Sequence, residues 1–474
     1  MTARTSSKAD GDFYGATPTN VLLPTPGVAE PLGQNMISDI NVKASQFSQE
    51  LRIGNLDSKP FRWAIGGLYW QERYKSDNAT IALNRGVAAT SVPGFSAARA
   101  LQILGPTRAY RSARNTDHTS AYGILSYDIT EALEASIEAR YAHEKVASLL
   151  GQAATINLSA NAQVVSYGVT AAVTNPRPVY TTNMFTPRGV VKYKFNDTDS
   201  VYASYSRGKK PGGYLNVQVV TGNVDFVRYN PETIDNYELG FKSSWMDNRV
   251  RLNGAYFHAN DRGRVASVLV PDPTSPQGSS TQVTNLGEAK IDGAELEVNA
   301  AITEELTAFV AYSYVNARFT SSDSPQTAAN GIAAAGVCTA ITNIGLSTVC
   351  ITNTDGKMLD FSNKHTFTGA LNYTKAITSD WDFTGEIDFQ ARSQRFIDPA
   401  NSYPLPSYIN FDAKVGVQNA TYSLMFYVNN VFNNLRPRTA QTAGDNFAPV
   451  QPTTGLFVYA ANPRQFGVKA GLKF

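Results

Sequence analysis

The sequence predicts an all-β fold, a transmembrane antiparallel β-barrel. Three observations carry this. Long segments alternate strictly between apolar and polar residues. The connections between them alternate between short and long. Charge is scarce and aromatic residues are plentiful. From Ile409 the series Ile409, Phe411, Ala413, Val415, Val417 interleaves with Asn410, Asp412, Lys414, Gly416, Gln418. The chain's last residues repeat it, with Phe466, Val468, Ala470, Leu472 and Phe474 against Gln465, Gly467, Lys469, Gly471 and Lys473. So does Trp381, Phe383, Gly385, Ile387, Phe389 against Asp382, Thr384, Glu386, Asp388, Gln390. A period of two over such lengths makes a strand with one greasy and one wet face.

Taken in order, about fifteen strands are expected. They lie near 40–53, 61–74, 117–128, 133–146, 185–195, 199–208, 232–245, 248–261, 283–300, 305–319, 363–374, 381–395, 405–418, 421–431 and 463–474. Residues 1–39 read as an irregular loop ahead of the barrel at 40–474. One strand is ambiguous. Leu133, Ile137 and Tyr141 also fit a helical stripe, and the Glu and Ala content there favours helix. Its neighbours are strands, so a strand is expected. The short connections are "GNLDSKP", "ITEA", "NDT", "MDN", "ITEE", "AITSD" and "NA". Between them fall long stretches such as 75–116, 147–184 and 320–362, rich in Ser, Thr, Asn, Gly and Pro. Tight turns at one end and long loops at the other describe a barrel through a membrane. Lipid requires every backbone group to be paired internally, so a closed sheet is the β solution. Phe195, Trp245, Trp381 and Phe474 all fall at the short-turn end, where an interfacial aromatic girdle belongs. A soluble sandwich has shorter strands and does not sort its loops.

Composition limits the rest. Of 474 residues, 17% are charged, below the roughly 25% of a soluble domain. A net charge of +2 argues against a nucleic-acid partner. Mean hydropathy is −0.24, and no apolar run is long enough for a transmembrane helix. The start, "MTARTSSKADGDFYG", has no apolar core of a signal peptide. Cys338 and Cys350 sit close together in a loop-like stretch without histidine. They would close a small disulfide ring in an oxidising compartment, or stand as two free thiols.

The stretch "YNPETIDNYELGFK" (229–242), the turn "SWMDNRV" and "RLNGAYFHAND" (251–261) resemble the TonB-dependent outer-membrane receptors. So do "SQELRIGN" (48–55), "YASYSRGKKPGGYL" (202–215), "NLGEAKIDGAELEV" (285–298), "YVNNVFNN" (427–434) and "PRQFGVKAGLKF" (463–474). Each is loose alone; together, in order, they are specific. The resemblance runs from about residue 40 onward. It implies a barrel of about 22 strands, plugged by a globular domain. It also implies uptake of a scarce nutrient, energised through TonB, and a terminal aromatic, here Phe474, that serves as an assembly signal. Neither a plug nor a TonB-gripped segment is found. An odd strand count would leave the first and last strands parallel. The chain therefore reads as the C-terminal two-thirds of a barrel from a longer reading frame, with TonB acting through the missing part.

No catalytic motif stands out: there is no G-x-S-x-G elbow, phosphate loop or H-E-x-x-H, and no cofactor is expected. His118, His143, His258 and His365 lie near the long-loop end, where histidine suits a membrane–water boundary better than a metal. "SRGKKPGGY" places Arg207, Lys209, Lys210 and Tyr214 at the outer mouth. There the basic cluster would steer an anionic chelate and the tyrosine would stack on it. Arg262 and Arg264 are weaker versions. Glu134, Glu138, Glu386 and Asp388 are expected on the wet inner face. Outer-membrane lipid and lipopolysaccharide would meet the outer face. The expected function is a nutrient receptor binding a ferric chelate, a vitamin or an oligosaccharide. The alternatives are a passive porin-like channel and a secreted adhesin.

Overall fold

The tight connections show how the chain turns back on itself. In Ile129–Leu133 the amides of Ile129 and Thr130 both donate to the Leu133 carbonyl, at 2.8 and 3.2 Å. The Thr130 hydroxyl accepts from the amides of Ala132 and Leu133. The same bonds recur at Ile302–Thr303 onto Leu306 and at Ile377–Thr378 onto Trp381. Asn196 and Asn419 play the threonine's part in two further turns. Side chains that bond their own backbone two and three residues ahead are the chemistry a tight turn needs.

The structure is a computed structural model. It describes residues 2–12, 34–55, 60–84, 108–152, 155–158, 164–168, 171–172, 178–220, 223–271, 279–285, 287–321, 323–327, 340–344, 347–445 and 453–473. The described residues form strands joined by turns and irregular connections. The main sheet holds β1 (Thr2–Asp12), β2 (Gln34–Gly54), β3 (Phe61–Asn84), β4 (Arg108–Asp128), β5 (Leu133–Gln152), β6 (Val179–Lys194), β7 (Ser200–Lys210) and β8 (Glu232–Trp245). It continues with β9 (Val250–Arg262), β10 (Glu288–Ala301), β11 (Leu306–Ser321), β12 (His365–Ala376), β13 (Asp382–Arg392), β14 (Tyr408–Gln418), β15 (Tyr422–Asn429) and β16 (Gln465–Leu472). Each pairs antiparallel with the next in the chain, and the short Ala171–Ala172 adds to the end of β5. Small hairpins, such as Gly213–Val220 with Asn223–Tyr229, occupy the long connections.

All the expected strands are present, including Leu133–Gln152, whose helical stripe yields to its neighbours. Several boundaries differ, and strand runs through 75–84, 108–116, 147–152 and 179–184, stretches expected as long loops. The strand expected over 283–300 is broken by Gly287 at φ 107°, so that β10 begins at Glu288. The irregular N-terminal region expected over 1–39 contains β1, paired with β2 from Thr2↔Ser45 to Asp12↔Asn35. Ladder bonds are made by backbone, so a strand without apolar alternation is invisible to a periodicity test. With β1 included, the first and last strands run antiparallel. β1 heads for the long-loop end, while β16 runs from Gln465 beside Asn429 down to Leu472 beside Tyr422.

The register puts the large exposed apolar side chains on one face. Ile53 pairs with Ile65, Leu125 with Ile137, Leu239 with Tyr256, Leu371 with Ile387, Val415 with Phe426, and Phe426 with Val468. All eleven of these residues are exposed. A slip of one residue within the band would turn a strand inside out; between β2 and β16 the one irregularity is at the start of β10, where Glu288 faces Ser321 and Ala289 faces Phe319. At the short-turn end this outward face carries Phe61, Tyr127, Phe195, Trp245 and Tyr422, with Trp381 half-buried. Toward the other end lie Tyr69, Tyr141, Phe185, Tyr237, Tyr256 and Phe367. Phe474 is outside the described residues.

The opposite face is wet and ion-paired. Arg62 clamps Asp128 at 2.7 and 2.8 Å and reaches Glu134 at 3.0 Å, tying β3, β4 and β5 together. Glu138 meets Arg188, and Lys414 meets Glu386 at 2.6 Å and Asp388 at 3.6 Å. The acidic residues expected on this face are therefore there, each within an ion pair.

"YVNNVFNN" closes β15 with a knot of asparagines. Asn430 and Asn433 take left-handed backbone, both at φ 52°. The buried Asn430 amide donates to the carbonyls of Asn434 and Asn462 and accepts from the Asn434 amide. Asparagine tolerates this backbone because its short side chain bonds locally. Asn430→Ala loses these bonds and keeps the strained backbone, so it should lower unfolding stability in detergent micelles by about 3 kcal/mol. Urea titration followed by tryptophan fluorescence checks this; a loss below about 0.5 kcal/mol would remove the knot's structural role.

Asp199, in the turn before β7, accepts from the Ser243 hydroxyl, the Asn196 amide and the Ser244 backbone. The Ser243 bond leads in holding its carboxyl below the ordinary value of 3.8. A lowered folded value means stabilisation that is complete above the unfolded value and is lost as pH falls through the folded one. Exchange of the 196–199 amides, corrected for intrinsic rates, should speed up as pH falls below about 5, and Asp199→Asn should abolish that dependence. The same acceleration in the variant would assign it to another group.

Candidate ligand site at the long-loop mouth

Where β7 ends, "KKPGGY" turns the chain over the inner face of β6. Tyr180, on that face, is 5% exposed. The Tyr214 ring meets it edge-on at 5.7 Å, and the Arg228 guanidinium lies over it at 5.0 Å. Tyr229 completes the group, its hydroxyl held above its ordinary pKa by burial. The two glycines make this approach possible. A Cβ on Gly212 would sit 2.4 Å from the Tyr180 hydroxyl, and one on Gly213 would sit 2.5 Å from that of Tyr229. Sequence reasoning marked Tyr214. It missed Tyr180, Arg228 and Tyr229, which come from segments distant in the chain. The clue it passed over was the glycine pair, a mark of close packing against something large.

Around this aromatic group the inner wall is charged. Lys210 lies 3.7 Å from Glu232, whose carboxylate also takes the Val265 amide at 2.8 Å. Arg264 spans Asp261 and Asp360, both at 3.4 Å. Asp261 is 2% exposed, and its Oδ1 has no hydrogen-bond partner among the described residues. The Asn285 amide bonds Asn230 and Gly263, pinning the entrance of the hairpin that follows β9. Below, His118 meets Glu144 at 3.1 Å, and Arg114 meets Glu72 at 2.8 Å.

The four residues expected to act together are divided between the faces. Lys210 pairs with Glu232 on the inner face, beside the tyrosine group. Arg207 pairs in register with Asp235, and its neighbours on that face are Tyr205 and Tyr237, so it lies on the outward face. It bonds Asp235 at 2.7 Å, and Asp235 also takes Arg262 and the Tyr205 hydroxyl. Lys209, also outward, donates to the Asn183 carbonyl. Arg264 belongs to the inner wall and Arg262 to the outer. Three of the histidines face outward: His143 bonds Asn183, His258 bonds Asp292, and His365 bonds the Tyr312 hydroxyl. Among the described residues no group of three or more histidine, cysteine, aspartate or glutamate side chains is placed to hold a metal ion. Cys338 is outside the described residues, so the pairing with Cys350 stands as an expectation from sequence.

The arrangement is a polar inner wall with an ion-paired, tyrosine-lined rim, in which Arg228 over Tyr180 is suited to holding a planar ligand by stacking and charge. Comparison with known proteins agrees with such a wall. The family model described as "TonB dependent receptor-like, beta-barrel" matches residues 5–431. A probable TonB-dependent siderophore receptor of Acinetobacter baumannii is 27% identical over 135 residues, covering 27% of this chain and 17% of that protein. The ferripyoverdine receptor of Pseudomonas aeruginosa is 30% identical over 149 residues, 31% of this chain and 17% of its own length. Among solved structures, the ferric yersiniabactin uptake receptor of Yersinia pestis superposes with a TM-score of 0.65 at 16% identity, covering 93% of this chain and 57% of that one. At that identity the likeness is one of fold. The chain thus spans about one-sixth of the length of these curated relatives in the matched region, and a little over half of the solved neighbour. On the family match over most of its length, this chain belongs to the TonB-dependent receptor β-barrel family and forms barrel wall of the bacterial outer membrane.

Proposed function

We propose that the chain is the wall and outer mouth of a receptor that captures a scarce nutrient and, in its full-length form, imports it with energy delivered through TonB. The ligand class is a ferric chelate or a similar anionic metal complex. The observation that carries this reading is the inner-face group of Tyr180, Tyr214, Tyr229, Arg228 and Lys210. Stacking and cationic contacts suit a bulky anionic chelate. The relatives, which are siderophore and metal receptors, support uptake of such a ligand over passive diffusion. A porin would need an open lumen and no selective rim. The outward apolar face meets outer-membrane lipid.

The split between the faces makes the test specific. Full-length receptor in detergent is titrated with ferric catecholate, hydroxamate and carboxylate chelates, with tryptophan fluorescence as the readout. One class should bind tightly. Tyr214→Ala and Lys210→Ala should each weaken it about tenfold, equivalent to about 1.4 kcal/mol, whereas Arg207→Ala should stay within about twofold. No binding by any class, together with free solute flux through reconstituted liposomes, would favour the channel. Equal losses in all three variants would place the ligand elsewhere.

We also propose the Cys338–Cys350 ring. Protein prepared from outer membranes should take up no thiol reagent until it is reduced, and then two equivalents as judged by mass. Labelling without reductant would rule the ring out.

A further inference from the structure

One arginine of the mouth holds its carboxylates loosely. Among the described residues every other arginine ion pair is 3.1 Å or shorter. Arg62 takes Asp128 through both terminal nitrogens at 2.8 and 2.7 Å. Arg207 takes Asp235 through Nε and Nη2 at 2.7 and 3.2 Å. Both are forked pairs, the geometry in which guanidinium and carboxylate fit best. Arg264 makes no such fork. Its Nη1 lies 3.4 Å from Asp261, and its Nη2 lies 3.4 Å from Asp360. Its Nε is buried and has no hydrogen-bond partner among the described residues. Nε and Nη2 form one edge of the guanidinium. Asp360 therefore covers half of that edge at long range, and the other half is a buried donor without an acceptor, which is costly to keep.

The backbone around this contact is fixed, and the Asp360 side chain is not. The Arg264 amide donates to the Gly287 carbonyl at 3.0 Å, and the Val265 amide donates to Glu232 at 2.8 Å. Glu232 also meets Lys210, so Arg264 belongs to the same stretch of inner wall as the residues beside the tyrosine group. On the other side, the Leu359 amide donates to the Ala317 carbonyl at 3.0 Å, and the Phe361 amide to the Phe396 carbonyl at 2.7 Å. Leu359 is buried with Ala289, Ala317 and Phe319. The Asp360 side chain between these anchors is 24% exposed. It can leave Arg264 by turning about its own side-chain bonds into water, with the backbone unmoved.

We propose that Arg264 is the receptor for a carboxylate of the ligand, and that Asp360 holds its place until the ligand arrives. The ligand carboxylate would take Nε and Nη2 together, as Asp235 does on Arg207, while Asp360 turns out to solvent. The exchange replaces one long contact with a fork and satisfies the buried Nε. A chelate with a carboxylate off the metal has the two parallel acceptors that this edge needs. A tris-catecholate or tris-hydroxamate commits its paired oxygens to iron. The inference rests on the reading of the mouth as a chelate site, and it narrows the ligand to chelates with an uncoordinated carboxylate. Because Asp360 competes for the edge, removing its charge should tighten binding, the reverse of losing a supporting residue.

Full-length receptor in detergent is titrated with ferric dicitrate, which keeps carboxylates off the metal, and with a ferric tris-catecholate and a ferric tris-hydroxamate that carry none. Tryptophan fluorescence reports binding. Ferric dicitrate should bind at least about tenfold more tightly than the other two. Arg264→Lys keeps the charge and loses the fork, so it should weaken ferric dicitrate about tenfold and leave the others within about twofold. Asp360→Asn should tighten ferric dicitrate about fivefold and leave the tris-catecholate within about twofold. Asp360→Asn decides alone if the arginine variant fails to fold. Unchanged or weaker binding of ferric dicitrate by Asp360→Asn overturns the exchange. So does equal tightening of the tris-catecholate, which would be a plain charge effect. Tight catecholate or hydroxamate binding that depends on Tyr214 and Lys210 but ignores Arg264 and Asp360 overturns this inference and leaves the reading of the mouth standing. Binding of no chelate by wild-type protein overturns both.

Discussion

Everything in this molecule depends on the cost of an unpaired peptide group in hydrocarbon. Each such group costs several kcal/mol away from water, far more than any one side-chain contact returns. The chain meets that demand with one antiparallel ladder, in which each long strand bonds the strand before and after it. Alternation then follows without further choice. A pleated strand has two faces, and the ladder holds all of them in phase. Ile53, Leu239, Ile387 and Val468 share a face because the register leaves them no other. The inner face is released from the apolar requirement, and charge collects there as Arg62 with Asp128 and Lys414 with Glu386.

Legibility from sequence followed the same physics. Strands inside the apolar band were readable because lipid imposes the period. Leu133–Gln152 was readable despite its helix-favouring composition, because its neighbours decided the matter. β1 was not readable, since its backbone pairing leaves no mark in an unpatterned sequence. The asparagine turns were visible as a motif, but their bonding was not. The ligand site was half visible. Lys210 and Tyr214 are adjacent to the glycine pair, whereas Tyr180 and Arg228 reach it from other segments. Arg207 was misgrouped by nearness along the chain. It has the same parity as Ala203 and Tyr205, which pair with Leu239 and Tyr237, and that parity already put it outside.

The outward surface therefore has two chemistries. A broad apolar band gives way at the long-loop end to paired polar side chains: Arg73 with Asp117, Arg207 with Asp235, and His258 with Asp292. The exposed ones, such as Arg73 with Asp117, contribute little to stability. Their value is positional. They mark the level at which hydrocarbon ends.

The short turns have a consequence for how such a wall changes over generations. In Ile129–Leu133, Ile302–Leu306 and Ile377–Trp381 the bonds that close the turn, onto the last carbonyl and onto the threonine hydroxyl, lie within five residues, while neighbours bond only remaining turn carbonyls, as Lys194 does Ala132 and Arg249 does Ile302. A strand pair thus carries with it the bonds that close its own turn. Copying or deleting one leaves the turns beside it intact and keeps the two faces in phase. The circumference can then grow or shrink in steps of two strands, by gene duplication within a single chain, without redesign of what remains.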